Sequence, residues 1–287
     1  MLNGRMIPLS LSLSAPIGLL PPRPRRKRRR KGRARWRPYA LRAWRAFNAA
    51  PPCLRIPIFA ALALALLATT NLAYQVVRKP TEMFFPVAGA LDKMPAETWE
   101  EYGPLFRAHA TAAITPELLA ALAQVEGAGN PLARTYWRWR FSWNLFAIYA
   151  PASSAVGMYQ MTDPTFAEAR RSCIRDHAVS DDCWFTGLYT RLLPSHAIEL
   201  AAVSLDRKVA AVLAQQPRAK PTAQQTQALA ALIHLCGPGP AKAFVRRGFH
   251  LAPGQRCGAH DAARYLAGVA AMTRQFQQLA GADSPSL

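Results

Sequence analysis

At 287 residues, 51% of them apolar, the chain has material for one or two domains with a buried core. A formal charge of +20 would suit a nucleic-acid binder if it were spread over the fold. It is not: Met1 to Arg55 holds fifteen Lys and Arg and no acid, which leaves an unremarkable +5 for the rest and excludes basicity as a property of the folded part.

Residues 1–53 form the first expected element, a tail rich in Pro and Arg whose densest run is Arg23 to Arg37. High charge without periodic apolar residues predicts disorder, because such a segment buries too little surface to offset its ordering entropy. Met6 to Leu20 is apolar but broken by Ser and Pro. Most positive charge follows that stretch, whereas a secretory signal places it ahead, so it does not read as an export signal. The Arg run has the charge to bind nucleic acid or anionic headgroups. A solvated tail that sets membrane topology is the simpler reading, and nucleic acid is not an expected partner.

Residues 54–77 are the expected transmembrane helix. Ile56 to Val77 reads IPIFAALALALLATTNLAYQVV, without a charge, between Arg55 and the pair Arg78 and Lys79. Such a length crosses a hydrocarbon core of roughly 30 Å. A buried core helix would keep one polar face, which this segment lacks, and Tyr74 suits a membrane interface. Retained cations ahead of the span favour a cytoplasmic N-terminus, and Glu82, just after it, is the first acid in the chain. The expected protein is therefore single-pass in an inner membrane, with its C-terminal domain periplasmic.

Residues 78–112 are expected to hold a linker and a leading helix, and residues 113–287 a helical domain. Thr115-Pro116-Glu117 is a helix start, with an N-cap Thr, Pro at the first helical position and an acid at the positive dipole end. Leu118, Leu119, Leu122 and Val125 recur at helical spacing, and Gly127 suits the stop. Further helices are expected near Asp163 to Asp176, His196 to Gln215, Thr222 to Leu235 and His260 to Leu279. Only Tyr136 to Trp143, where aromatics and Arg interleave, alternates like a strand. The expected fold class is all-α.

Cys53 borders the span, while Cys173, Cys183, Cys236 and Cys257 lie in the exported part, where an oxidising compartment favours pairing. Four cysteines allow three connectivities, and nearness along the chain favours Cys173 with Cys183 and Cys236 with Cys257. Zinc is the rival, but no CxxC or spaced His pair supports it. No nucleotide loop, zincin motif or Ser/His/Asp order is present, so neither a metal nor a cofactor is expected.

Glu126 ends an apolar run. A Glu there is commonly a solvated helix end; in this setting the apolar neighbours would desolvate it and favour its protonated form. A protonated Glu beside a glycosidic oxygen is what glycoside cleavage requires of its acid. LLAALAQVEGAGNP, which contains Glu126, resembles the segment of the catalytic Glu in lytic transglycosylases of the soluble-lytic-transglycosylase type, within the lysozyme-like superfamily. SSAVGMYQMTDPTF, from Ser153 to Phe166, resembles that family's second motif, a Gly-Leu-Met-Gln-like turn lining the sugar cleft. AIELAAVSL, from Ala197 to Leu205, resembles the helix behind the site, and IHLCGPG, from Ile233 to Gly239, the Tyr-Asn-Ala-Gly-Pro-Gly stretch. The four pieces come in the family's order and span about Ile114 to Leu279. The chain departs from the pattern at Gly127, where Ser is common, at His234 and Leu235, where Tyr and Asn are expected, and in a longer aromatic-rich insertion between Glu126 and Gly157.

The resemblance implies a lysozyme-like domain that cuts the MurNAc–GlcNAc bond of peptidoglycan without water, using Glu126 as acid and then base. A lysozyme-type hydrolase would need a second carboxylate or a positioned water. Asp163 and Glu168 are nearest in sequence, and the simpler readings are a helix cap and a solvated face. Gln160 is expected to bond an acetamido or hydroxyl group, or to tie down its own turn. Gly157 would let backbone approach the ligand, and Met158 and Tyr159 belong to the same expected lining. Ser153 and Ser154 would cap the turn or touch sugar. Tyr136, Trp137, Trp139 and Trp143 would stack on sugars or cover the domain. His234 would orient Glu126 or be a satisfied core histidine. The rival from another class is a peptidoglycan-binding scaffold within a cell-envelope assembly, bound to partner proteins and cutting nothing.

Overall fold

The computed structural model describes residues 37–84 and 87–282, so the Arg-rich run before Arg37 lies outside the described residues. The chain divides into two compact units, Met1–Ala63 and Leu64–Leu287. In the first, helix α1 (Arg37–Ala49) corrects the expectation of disorder as far as residue 53. Beyond Pro38 the segment has no Gly or Pro until Pro51, and its Ala, Leu and Arg residues favour helix. Phe47 packs edge-on against Phe59 at 4.9 Å, and the Arg55 guanidinium donates to the carbonyls of Asn48 and Ala50, which satisfies the helix end.

Helix α2 (Pro52–Arg78) is 27 residues long, and only 6% of its most apolar stretch is buried. A core helix of this composition would be covered all round. It is the one helix among the described residues long and apolar enough to cross a membrane. The hydroxyls of Thr69 and Thr70 donate to the carbonyls of Ala65 and Leu66, both at 2.8 Å, so neither hydroxyl is left unpaired in an apolar surround.

The second unit is mostly helical: α3 (Pro95–His109), α4 (Pro116–Gly127), α5 (Asp163–Ala169), α6 (Pro194–Ala214), α7 (Ala223–Cys236), α8 (Pro238–Arg246) and α9 (Ala262–Ala282). Pro95, Pro116, Pro194 and Pro238 each open a helix, where the missing N–H costs nothing. Thr115 caps α4 by accepting from the Leu118 amide, and Thr222 and Gln225 form a reciprocal capping box on α7. Helix α4 lies in the centre, against α9 and α3, with Leu118 to Ala123 all buried.

The domain is mostly helical, as expected of an all-α chain, with three short antiparallel hairpins among the described residues. They are β1 (Trp137–Trp139) with β2 (Tyr149–Pro151), β3 (Cys173–Arg175) with β4 (Ala178–Ser180), and β5 (Arg256–Cys257) with β6 (His260–Asp261). The second hairpin cuts the helix expected over Asp163 to Asp176 at Ala169. It is closed by the Cys173–Cys183 disulfide and anchored by buried Glu199, which accepts from the Ile174 amide and the Tyr189 hydroxyl, both at 2.8 Å. The Cys236–Cys257 disulfide ties the end of α7 to the third hairpin, so the two cysteine pairs join as expected. Cys53 is a free thiol.

Just past α2 the chain is knotted on Glu82, whose side chain is fully buried. Lys79 stands 3.1 Å from one carboxylate oxygen; Arg134 at 3.2 Å and the Trp137 indole N–H at 2.7 Å reach the other. Lys79 also donates to the Ala155 carbonyl at 2.9 Å. One acid thus ties the end of the apolar helix to the first hairpin. Removing it would leave two cations without their counter-charge, so Glu82→Ala is expected to cost about 3–5 kcal/mol. Denaturant unfolding of the full chain in detergent measures this, with exposed Asp182→Ala as a near-neutral control.

Candidate functional site

Helix α4 is apolar until it reaches the surface, and Glu126 stands in its last turn, with its side chain 19% exposed. Ala128 ends the helix in the left-handed conformation. The following loop is pinned by buried Asn130, whose amide donates to Asp92 at 2.7 Å and to the Ala88 carbonyl, and whose oxygen accepts from the Leu132 amide at 2.8 Å. The carboxylate therefore leaves a fixed helix end rather than a free loop.

Two side chains meet one oxygen of that carboxylate. The Tyr265 hydroxyl, from α9, donates to Glu126 Oε1 at 2.5 Å. His234 Nε2, from α7, lies 3.5 Å from the same atom, at the outer limit of a hydrogen bond. Burial, and then the facing Glu126 carboxylate, hold the Tyr265 phenol far above its ordinary pKa, so it remains a donor. Burial lowers the His234 pKa, with Glu126 opposing that shift and Lys208 adding to it. The imidazole is neutral at physiological pH.

Each member of the trio borders a separate hollow. Glu126 lines one of about 590 Å³ together with Asp92, Gln124 and Arg134. His234 lines a second, of about 240 Å³, with Gln160, Thr165, Ser204 and Lys208. Tyr265 borders a third, of about 360 Å³, with Asp261 and Arg264. The hollows beside Glu126 and His234 are edged by hydroxyl, amide and charged groups, which suit a polar ligand better than an apolar one.

The turn expected to line the cleft has a different division of labour. Met158 and Tyr159 are fully buried, and the Tyr159 hydroxyl donates to the Leu119 carbonyl at 3.1 Å. They are core residues that fasten the turn to α4, which corrects their assignment to ligand contact. Gly157 has φ +79°, and a Cβ there would strike the Arg191 carbonyl, so its backbone approaches protein rather than ligand. Ser154 accepts from the Asp163 amide at 3.1 Å, a structural role. Gln160 ties down its own turn, its amide donating to the Gly157 carbonyl at 2.9 Å, and it also edges the second hollow.

Gly127 has a steric cause. A Cβ at this position would lie 2.9 Å from the backbone of Met158 and 3.1 Å from Ala133. Helix and turn touch backbone to backbone here, and a side chain would drive them apart.

Trp137 and Trp139 stand away from the trio. Trp137 is held by Glu82 and lines another hollow with Ala68 and Leu72 of α2, and Trp139 packs on Tyr149 at 4.6 Å. Asp163 is not the cap of α5, a position Thr162 takes; it lies in the first turn, paired with Arg191 at 2.7 Å. Glu168 is exposed and pairs with Lys208 at 3.5 Å, in keeping with a solvated face. Tyr265 and Arg191 were not legible as site residues. Arg191 braces the turn through the carbonyls of Ser154 and Met161, at 3.0 and 2.7 Å. Compared with known proteins, the sequence matches no family model and no curated protein, so the reading of this site rests on its own geometry.

Because the folded protein resists protonating His234 while the unfolded chain takes its proton near the ordinary 6.5, stability is full above that pH and falls as pH drops below it. His234→Gln is expected to flatten this slope in urea unfolding from pH 8 to 5. His109, also lowered chiefly by burial, with Glu199 opposing the shift and His196 adding to it, accounts for the slope that remains. Gly127→Ser is expected to lower the unfolding temperature by several degrees, measured by circular dichroism.

Proposed function

We propose that the chain is a membrane-anchored peptidoglycan lytic transglycosylase, with a lysozyme-like domain whose acid and base is Glu126. One observation carries the reading: a carboxylate fixed at the open end of a buried helix, with a tyrosine hydroxyl on Oε1 and a hollow of about 590 Å³ beside it. The four motif resemblances in their expected order support the same family. The apolar helix supports an anchor, and the cationic flank ahead of it supports a cytoplasmic N-terminus with the domain in the periplasm. Glycan strands are the substrate.

With Oε1 engaged by Tyr265, Oε2 carries the transferable proton. Glu126 donates it to the oxygen bridging MurNAc C1 and GlcNAc C4 as the C1–O bond breaks. The neighbouring acetamido oxygen stabilises the electron-poor C1. Glu126, now a carboxylate, removes the proton from the MurNAc C6 hydroxyl, whose oxygen closes on C1 to give the 1,6-anhydro ring. No water is consumed, and Glu126 ends as it began. Tyr265 holds the carboxylate in one rotamer throughout.

Digestion of purified sacculi with the full chain in detergent, followed by mass spectrometry, tests the reading. Anhydro-ended fragments are expected from the wild type, and Glu126→Gln should slow their release by about 10²–10⁴-fold. Tyr265→Phe should lower kcat and shift the pH profile while binding of sacculi persists. Reducing-end fragments would mean hydrolysis, with Asp92, in the same hollow, as the second carboxylate to test. Binding without any release would favour the scaffold.

A further inference from the structure

The first hairpin holds a row of aromatic side chains that the proposed chemistry does not use. Trp139, Phe141 and Trp143 are 75%, 112% and 104% exposed, respectively, and Arg138 is exposed among them. So large an apolar surface facing water is unusual, and it marks an interaction site.

The hairpin is fastened to the last turns of the apolar helix. Asn71 Nδ2 donates to the Tyr149 carbonyl at 2.9 Å, and Gln75 Nε2 to the Phe146 carbonyl at 2.5 Å. Tyr74 stacks on Phe146 at 5.1 Å. Both amide side chains are buried, although they lie on the helix that otherwise exposes Leu, Ala and Val. These contacts locate the hairpin along the helix axis. Gln75 and Asn71 lie three and seven residues before Arg78, about 4.5 and 10 Å along the helix. The headgroup region on one face is about 5–7.5 Å deep, so a helix that ends at the membrane surface near Arg78 places the Gln75 contact in the headgroup layer and the Asn71 contact in the upper acyl region. In the acyl region a backbone carbonyl needs an internal donor, which Asn71 supplies to Tyr149.

We propose that the hairpin over residues 136–151 is a second membrane attachment, which lays Trp139, Phe141 and Trp143 into the headgroup and upper acyl region beside the transmembrane helix. Indole rings prefer that layer, and Arg138 finds phosphate there. The occupant of the exposed face is the lipid bilayer. The inference rests on the reading of α2 as a membrane span.

The test uses the full chain in vesicles of phosphatidylcholine and phosphatidylglycerol in equal parts, with bromine either high or low on the acyl chains. In the wild type, high bromines are expected to quench tryptophan emission more than low ones. The triple variant Trp139→Ser, Phe141→Ser, Trp143→Ser should lose more than half of that shallow quenching. A second variant, Trp139→Phe with Trp143→Phe, keeps the hairpin's apolar surface, removes two indoles and should lose the same signal even if the triple variant does not fold. Unchanged quenching in both variants, with the protein still resisting alkaline carbonate, would overturn the hairpin attachment alone. Removal of the wild type by carbonate would overturn the span and the inference with it.

Discussion

The architecture of the second unit depends on one helix that is apolar on every face. Leu118 to Ala123 are buried all round, so α4 must be enclosed by α3, α9 and the helices behind them. Such a helix meets solvent only at its ends. At one end Thr115 caps it; at the other stands Glu126. Enclosure gives the carboxylate its rigid base, and it brings the groups that contact it from distant parts of the chain. Tyr265 arrives on α9, which packs along α4, and His234 arrives on α7, whose far end is tied by a disulfide to the hairpin leading into α9.

This arrangement explains which parts could be read from sequence. The helix carrying Glu126 was legible because its cap, periodicity and apolar run all agree locally, and the disulfide pairs because the partners are near in sequence. Tyr265 was not, since it lies 139 residues from Glu126 and belongs to no motif. Only the packing of α9 on α4 joins them. Met158 and Tyr159 resemble a cleft lining by their place in a motif, yet their bulk is what locks the turn to the core. Trp137 and Trp139 look like sugar-stacking residues as types, and only the buried Glu82 reveals that Trp137 serves the junction with α2. Helix α1 was missed because the charge run ahead of it dominated the composition of the segment.

Glu82 makes the end of α2 continuous with the part of the fold that holds Glu126. Through Lys79, Arg134 and Trp137 it joins the last turn of the apolar helix to the first hairpin. Arg134 also lines the hollow of Glu126. The proposed acid is therefore separated from the helix junction by little more than one side chain. The aromatic segment between Glu126 and Gly157 belongs to this junction.

The contact of Gly127 with the backbone of Met158 has a consequence for how such a site can diverge. A spacing set by two main chains contains no rotatable bond, so no exchange of side chains elsewhere can lengthen or shorten it by small steps. Glu126 and the turn bearing Gln160 thus behave as parts of one casting. Adaptation to a different ligand would have to come from the rims, in the loop bearing Arg134 or the hairpin closed by Cys173 and Cys183, while the interval between Glu126 and the turn stays as it is.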